Sequence, residues 1–342
     1  GDTKDDYGDW KNGGPETYTL TVGEEKIDLS QKNLGSSDVA LVTAWLQRPE
    51  VRAALNSLKC ANNPGMVGEL EHGRLKTPDA HAEVFKQLTD NLKTSQVTEV
   101  DFSSCGIGPV ALGHLSEWVR DAEAALTSLI VSDNSLFGEQ QKPGYVKGVM
   151  ERAVDKDQSG WNNLCEQLKV SNITSFTASD IGMGPVALRT LATSLPAAVA
   201  RLSLSANFIT GSKEKLHVGS GDWEYDVDLS GLILLCDALL TLKNPIELDL
   251  SNCGLSVNGV NPVAKAISAG AVVARLILDE NPLKVDTTYD LDNKFTLLVA
   301  LKRPNWEETP IPPWLASGDI MLLNNFTDTQ VHDRCIEQSC ML

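Results

Sequence analysis

The chain has 342 residues, of which 42% are hydrophobic, and it carries a formal net charge of −17 at pH 7. This charge argues against nucleic acid as a ligand, because few cations are available to neutralise phosphates. It argues equally against an anionic membrane surface, and no apolar run is long enough to span a bilayer. A cationic protein partner or a metal ion would suit the charge better.

The N-terminal stretch is predicted to precede the main domain. Residues 1–15 are polar and rich in glycine, which indicates a loose leader. Residues 17–22 alternate between polar and apolar side chains, which predicts a strand that covers the open end of the following structure. We therefore assign residues 1–26 as an N-terminal leader and cap.

One pattern then returns eight times along the chain. Its clearest copy is PIELDLSNCGL at residues 245–255, where two apolar residues flank one other residue before a turn. Copies 1 to 8 begin at Ile27, Leu55, Val97, Leu126, Ile173, Val199, Pro245 and Val273. Such a series predicts a repeat protein, in which each copy buries its apolar face against its neighbours.

The residue three places after the second apolar strand residue alternates in type. In copies 1 to 8 it is Lys32, Asn63, Cys105, Asn134, Ile181, Asn207, Cys253 and Asn281. Asparagine therefore fills every second copy, at intervals of roughly 70 residues, and the true unit is a pair of copies. We call each such pair a double unit.

This alternation resembles the leucine-rich repeats, specifically the ribonuclease-inhibitor-like class. The resemblance covers residues 27–301 and implies an α/β solenoid, or horseshoe, with a parallel sheet on the concave side and helices outside. The residues themselves agree, because Leu-x-Leu predicts a short strand with alternating faces. A buried asparagine after it would bond backbone groups in a tight turn. Helical apolar spacing occurs at residues 38–46, 108–119, 184–195 and 261–268.

Long insertions follow the four asparagine copies, whereas the other copies have short connections. We expect the insertions to emerge on one side of the stack, which makes that side a candidate binding face. Residues 215–218 and 223–227 predict a small β-hairpin in the third insertion. After residue 301 the pattern fades, and residues 302–342 are predicted to form a C-terminal cap and tail.

Cysteine usage bears on the compartment without deciding it. Only Cys335 and Cys340 fall outside the repeat pattern. The other five are predicted to be buried, reduced side chains: Cys60, Cys105, Cys165, Cys236 and Cys253. This favours an intracellular compartment, whereas glycosylation tripeptides at Asn172 and Asn325 favour the opposite.

An acidic motif precedes two of the predicted helices. Residues 155–166 match the calcium loop of an EF-hand, and residues 226–237 repeat the pattern with Asp237 in last place. The candidate calcium ligands are Asp155, Asp157, Ser159, Glu166, Asp226 and Asp228. The competing interpretation is a helix N-cap, with serine as the cap and acids near the positive helix end.

Partner-binding candidates lie on the sheet face and in the insertions. The side chains that dominate protein interfaces, Trp, Tyr and Arg, are scarce on the sheet face, so the insertions hold the better anchors. The candidates are Asp101, Ile130, Arg201, Asp249 and Arg275 on the sheet face, and Tyr145, Trp223 and Tyr225 in the insertions.

No enzyme motif stands out in the sequence. It has no phosphate-binding P-loop, no H-E-x-x-H and no G-x-S-x-G, and its five histidines lack ligand spacing. We therefore expect a non-enzymatic interaction or scaffold module for a protein partner, either cationic or part of a larger assembly. The alternative is a calcium-responsive module, with calcium as the one expected cofactor. A regulator of an enzyme such as a GTPase or nuclease is a third, weaker reading.

Overall fold

The computed structural model describes residues 3–4, 10–11, 18–121, 126–141, 150–214 and 223–283. Within these ranges, eight short strands form one parallel sheet whose strand order follows the chain. They are β1 (Lys26–Asp28), β2 (Ser57–Lys59), β3 (Glu99–Asp101), β4 (Ser128–Ile130), β5 (Ser175–Thr177), β6 (Arg201–Ser203), β7 (Ile246–Asp249) and β8 (Val273–Ile277). Each of the eight sequence copies supplies one strand, and the α/β class is confirmed.

Helices return the chain between the strands. They are α1 (Ser36–Leu46), α2 (Pro49–Ala54), α3 (Ala82–Leu92), α4 (Pro109–Asp121), α5 (Ser159–Leu168), α6 (Pro185–Ala192), α7 (Ser230–Leu239) and α8 (Val257–Ser268). Both α4 and α6 begin at a proline, whose fixed φ suits the first helical position. From α3 onward each helix packs on the next, so the helical layer advances with the sheet, one copy at a time.

The described helices are short. The longest, α4, has 13 residues, and each helix in the described ranges is too short or too polar to reach across a bilayer.

Antiparallel hairpins emerge after β2, β4 and β6, one from each of the first three asparagine copies. They pair Glu69–Glu71 with Arg74–Thr77, Glu139–Gln141 with Met150–Arg152, and Lys213–Glu214 with Trp223–Glu224. Because parallel strands end at the same edge of a sheet, all three hairpins leave from one edge. A fourth two-stranded pair joins Thr3–Lys4 to Trp10–Lys11.

One local prediction was wrong, and another was confirmed only in part. Residues 18–22 contain no strand, and residue 17 lies outside the described ranges. The predicted third hairpin is present and pairs residues 213–214 with 223–224, but its second strand is shorter than the predicted 223–227, and residues 215–218 lie outside the described ranges. The paired stretches have two to four residues, which is too short for alternation to define their bounds.

One apolar core lies between the sheet and the helices and runs the length of the described stack. Every second strand residue points into it, as Leu129, Phe176 and Leu202 do, each at most 1% exposed. The helices contribute larger side chains, among them Trp161 of α5, which contacts Phe176 at a ring-centroid distance of 6.3 Å. Each copy therefore completes its core with atoms of its neighbours.

A sharp turn follows every strand of the sheet. In all eight copies one non-glycine residue there adopts a left-handed conformation, with φ between 50° and 60°. These residues are Gln31, Asn62, Ser104, Asp133, Asp180, Ala206, Asn252 and Glu280. Such a conformation costs a side-chain-bearing residue about 1–2 kcal/mol, so the contacts that follow the turn must offset it.

Candidate functional site

Buried asparagines join the two copies of each double unit. Asn134 Nδ2 donates to the carbonyl oxygens of Phe102 at 2.9 Å and Val131 at 3.0 Å. Its Oδ1 accepts from the backbone N–H groups of Cys105 at 3.1 Å and Ile107 at 3.0 Å. The same arrangement recurs at Asn63, Asn207 and Asn281. The predicted role of asparagine in the turn is confirmed at all four positions.

Aspartates in the insertions join each double unit to the next. The Asp155 carboxylate accepts from the backbone N–H groups of Gly184, Val186 and Ala187 at 2.9, 2.8 and 3.1 Å. These amides form the first turn of α6 in the following copy, where they have no helical partner. Asp155 therefore caps a helix of the next double unit.

The same cap occurs twice more, and its aspartates are left-handed. Asp79 accepts from Gly108, Val110 and Ala111 at the start of α4, and Asp226 accepts from Ser256 and Gly259 at the start of α8. The φ values of Asp79, Asp155 and Asp226 are 62°, 54° and 55°. Burial raises the pKa of Asp79, although the hydrogen bonds from the three backbone N–H groups act in the opposite direction.

A glycine in the next copy lets each insertion approach closely. Gly182 has φ 81°, and a Cβ atom there would lie 2.4 Å from the carbonyl oxygen of Ala153. Gly106 and Gly254 occupy the matching positions, where a Cβ would lie 2.4 Å from the Pro64 oxygen and 2.9 Å from Ser212 Cβ. The base of each hairpin is thus packed into the scaffold.

The four aspartates among the candidate calcium ligands accept hydrogen bonds at these helix N-termini. Asp155 and Asp226 cap helices as described above. Asp157 Oδ1 accepts from the N–H and hydroxyl of Ser159 at 2.9 and 2.6 Å. Asp228 Oδ1 accepts from the Ser230 N–H at 2.9 Å. The hydroxyl and N–H of Ser159 hold the pKa of Asp157 below its usual value, and the hydroxyl and N–H of Ser230 do the same for Asp228. The N-cap interpretation fits these contacts, except that Ser159 and Ser230 are first helical residues and not caps.

Glu166 lies away from the other proposed ligands. It is exposed on α5, seven residues past Ser159, which corresponds to about 10 Å along a helix axis. Calcium ligands instead surround one ion at about 2.3–2.6 Å. In the part of the chain that the structure describes, no three His, Cys, Asp or Glu side chains are grouped as metal ligands.

Three of the five candidates on the sheet face already have polar partners. The carboxylates of Asp101 and Asp249 each accept from the serine two residues later, and Arg201 Nη2 lies 2.8 Å from Glu247 Oε2. Ile130 is half-buried, and Arg275 is exposed on β8. These five candidates are therefore spread over five strands and do not converge on one point. Tyr145 lies outside the described residues.

The second hairpin is held down by an arginine that the sequence did not single out. Arg152 Nη1 lies 2.6 Å from Asp180 Oδ2, and its Nη2 contacts Asp133 Oδ1. These aspartates are the left-handed turn residues of copies 4 and 5. Arg152 stands three residues before the capping Asp155, and in the third hairpin the same position is occupied by Trp223.

Trp223 starts an exposed aromatic surface on the third hairpin. Its ring stacks on Tyr225 with a centroid distance of 6.2 Å and an interplanar angle of 12°, and the two residues are 42% and 39% exposed. Phe208 and Val227 are 38% and 46% exposed. Both residues lie near Gly211 at the base of this hairpin, because the Gly211 N–H donates to the Phe208 oxygen at 2.8 Å and a Cβ on Gly211 would lie 3.7 Å from Val227 Cβ. We call Phe208, Trp223, Tyr225 and Val227 the aromatic patch.

The five described cysteines are structural. All are buried without a disulfide, and burial raises the pKa of every one of these thiols, to about 12 at Cys236 and Cys253. Cys105 Sγ lies 3.1 Å from the Cys60 oxygen, and so contributes a further contact between double units. Their reactivity is therefore low and their role is packing.

Sequence reasoning missed Asp79, Arg152 and Phe208 among the residues that shape this surface. Asp79 had a sequence clue, because Gly-Pro-Val-Ala begins 29 residues after both Asp79 and Asp155. Arg152 and Phe208 had none, since their partners are defined only by the folded turns. No protein-family model matches the chain, and no curated protein matches it in sequence.

Proposed function

We propose that the chain is a leucine-rich-repeat solenoid of the ribonuclease-inhibitor-like class that acts as a non-enzymatic protein-binding module. Eight parallel strands in chain order, one for each sequence copy, support the repeat assignment. The alternation of buried asparagines supports the class. In such a stack the sheet forms the concave side and the helices the outer side.

The observation that carries the function is the exposed Trp223–Tyr225 pair. Stacked rings that remain about 40% exposed are large, amphipathic and nearly rigid, which are the properties of interface anchors. The base of their hairpin is fixed by Asp226, which caps α8. A partner would therefore meet a preorganised surface, and less conformational entropy would be lost on binding.

The calcium-responsive alternative has weaker support. The carboxylates of Asp155 and Asp226 each bond several backbone N–H groups, and a calcium ion would have to compete with all of them. A function in enzyme regulation gains no specific support from the described contacts. Protein binding through the aromatic patch therefore remains the leading proposal.

The decisive experiment is affinity capture of the tagged chain from its native lysate, read by mass spectrometry. We expect the wild type to retain one stoichiometric partner and the Trp223→Ala/Tyr225→Ala double variant to lose it. Val170→Ala is the matched control, because Val170 is 78% exposed and lies just after the C-terminal end of α5, in a different double unit from Trp223. Equal capture by all three would place the interface elsewhere, and loss with a chelator would revive the calcium alternative.

A further inference from the structure

The position of Trp223 is free of the structural task that it has in the preceding hairpin. There Arg152 bridges two aspartates in the left-handed turns of neighbouring copies. In the third hairpin the corresponding turn residues are Ala206 and Asn252, neither of which is charged. An arginine at position 223 would therefore find no aspartates to bridge as Arg152 does. The exposed Trp223 ring remains available to another partner.

The geometry of the aromatic pair defines what that partner can be. The rings of Trp223 and Tyr225 are nearly parallel with centroids 6.2 Å apart, and both side chains are about 40% exposed, so ring surface remains available to a partner. Aromatic faces are electron-rich and attract cations. A planar guanidinium also stacks on such a face, which an ammonium group cannot do.

The charges around the pair favour the same partner. Glu224, Asp226 and Asp228 lie within the same segment, and among the described residues the cations beside it are Lys213 and Arg189. Lys213 Nζ lies 3.6 Å from Glu224 Oε2, and the Asp226 carboxylate is occupied at α8. The local balance is thus negative, within a chain whose net charge is −17.

Other occupants of the aromatic patch fit this charge less well. A second copy of the chain would bring another 17 negative charges to the interface. Nucleic acids and anionic membranes carry phosphates that the same field repels. A cationic protein segment combines attraction over distance with a group that stacks on contact.

We infer that the aromatic patch receives an arginine side chain from a cationic protein segment, with its guanidinium stacked on the exposed face of Trp223. This rests on the proposed protein-binding function and specifies the partner for the same surface. Glu224 and Asp228 supply the surrounding negative charge, and Phe208 and Val227 supply apolar contact for neighbouring side chains.

The test uses the purified full chain and three fluorescein-labelled nine-residue peptides. These alternate glycine with arginine, with lysine or with citrulline, which is planar but uncharged. Fluorescence anisotropy at about 50 mM salt should show the arginine peptide binding at least about threefold more tightly than the lysine peptide. The citrulline peptide should bind most weakly, because it lacks the charge.

Four variants separate stacking from general attraction to an acidic protein. Trp223→Ala should bring the arginine peptide down to the affinity of the lysine peptide, and Trp223→Phe should keep part of the preference. Val170→Ala should leave both affinities unchanged. Equal affinity of the two cationic peptides for the wild type, or an arginine preference that survives Trp223→Ala and Tyr225→Ala, would overturn the inference.

The outcome is distinguishable from failure of the proposed function. If capture of a partner depends on Trp223 while the cationic peptides bind equally, protein binding stands and the arginine assignment falls. If neither capture nor peptide preference responds to Trp223, both proposals fall. Circular dichroism and thermal unfolding of each variant establish that the fold is intact, as expected for an exposed side chain.

Discussion

The Asp155 carboxylate accepts the backbone N–H of Gly184 at 2.9 Å, across 29 residues and from one double unit to the next. The insertion that carries Asp155 is therefore part of the scaffold at its base and free only beyond it. Deletion of a whole insertion would remove a helix cap together with any binding surface. Point substitutions in the hairpins are the appropriate probes of function.

Loss of the cap should destabilise the fold. Asp155→Ala leaves three backbone N–H groups without their acceptor, and we expect the free energy of unfolding to fall by about 2 kcal/mol. Asp155→Asn should cost less, because an amide oxygen still accepts. Urea unfolding measures both, with the exposed Asp237→Ala of α7 as the control. Equal stability of Asp155→Ala and the control would contradict the capping role.

Loss of a buried asparagine should cost more. The Asn134 amide makes five hydrogen bonds to backbone groups, most of which no water can reach. We expect Asn134→Ala to lower the free energy of unfolding by about 3 kcal/mol or more. Asn163→Ala, at an exposed position of α5, should change it by less than about 0.5 kcal/mol. Similar unfolding midpoints for the two variants would contradict the stabilising role of the Asn134 hydrogen bonds.

Two glycines should respond oppositely to the same substitution. Gly182→Ala places a Cβ 2.4 Å from the Ala153 oxygen at a φ of 81°, so the fold must shift and lose stability. Gly113 lies inside α4, and a Cβ there would have no atom within 4 Å. We therefore expect Gly113→Ala to raise the free energy of unfolding by about 0.5–1 kcal/mol. Thermal unfolding of both variants checks the sign, and a tolerated Gly182→Ala would show that the insertion is not packed against copy 5.

Acid should weaken one local helix start in a defined way. The pKa of Asp157 is lowered by the Ser159 hydroxyl and N–H, so their stabilisation is complete above about pH 4, the ordinary value, and is lost as the pH falls through the folded-state pKa. Ser159→Ala should therefore raise the pKa of Asp157 and make unfolding less acid-dependent. Carbon-13 NMR titration of the carboxyl groups measures this, with Asp228 as an internal reference that should not move.

Repetition made the scaffold predictable, whereas single contacts were not. Eight copies of one apolar pattern defined the strands, and the buried role of Asn134 and its equivalents followed from the alternation. The acidic motifs were assigned to their own helices, because a cap on a helix 29 residues away leaves no local spacing. The hairpins were mostly missed, since their paired stretches are too short and polar to show a period. Trp223 and Tyr225 were predicted as candidate anchors, but their stacking depends on the hairpin backbone and could not be predicted.

The alternation of buried asparagines and capping aspartates also limits which copies can be added to or removed from such a chain. Residues 108–112 and 184–188 both read Gly-Pro-Val-Ala-Leu, so Asp79 would meet the same amides if copies 3 and 4 were excised together. Excision of a single copy would instead break the alternation. The backbone N–H groups at the start of one helix would then lose their aspartate cap. We therefore expect stable variants of this chain to gain or lose copies two at a time. A double unit is then the smallest segment whose duplication preserves every cap.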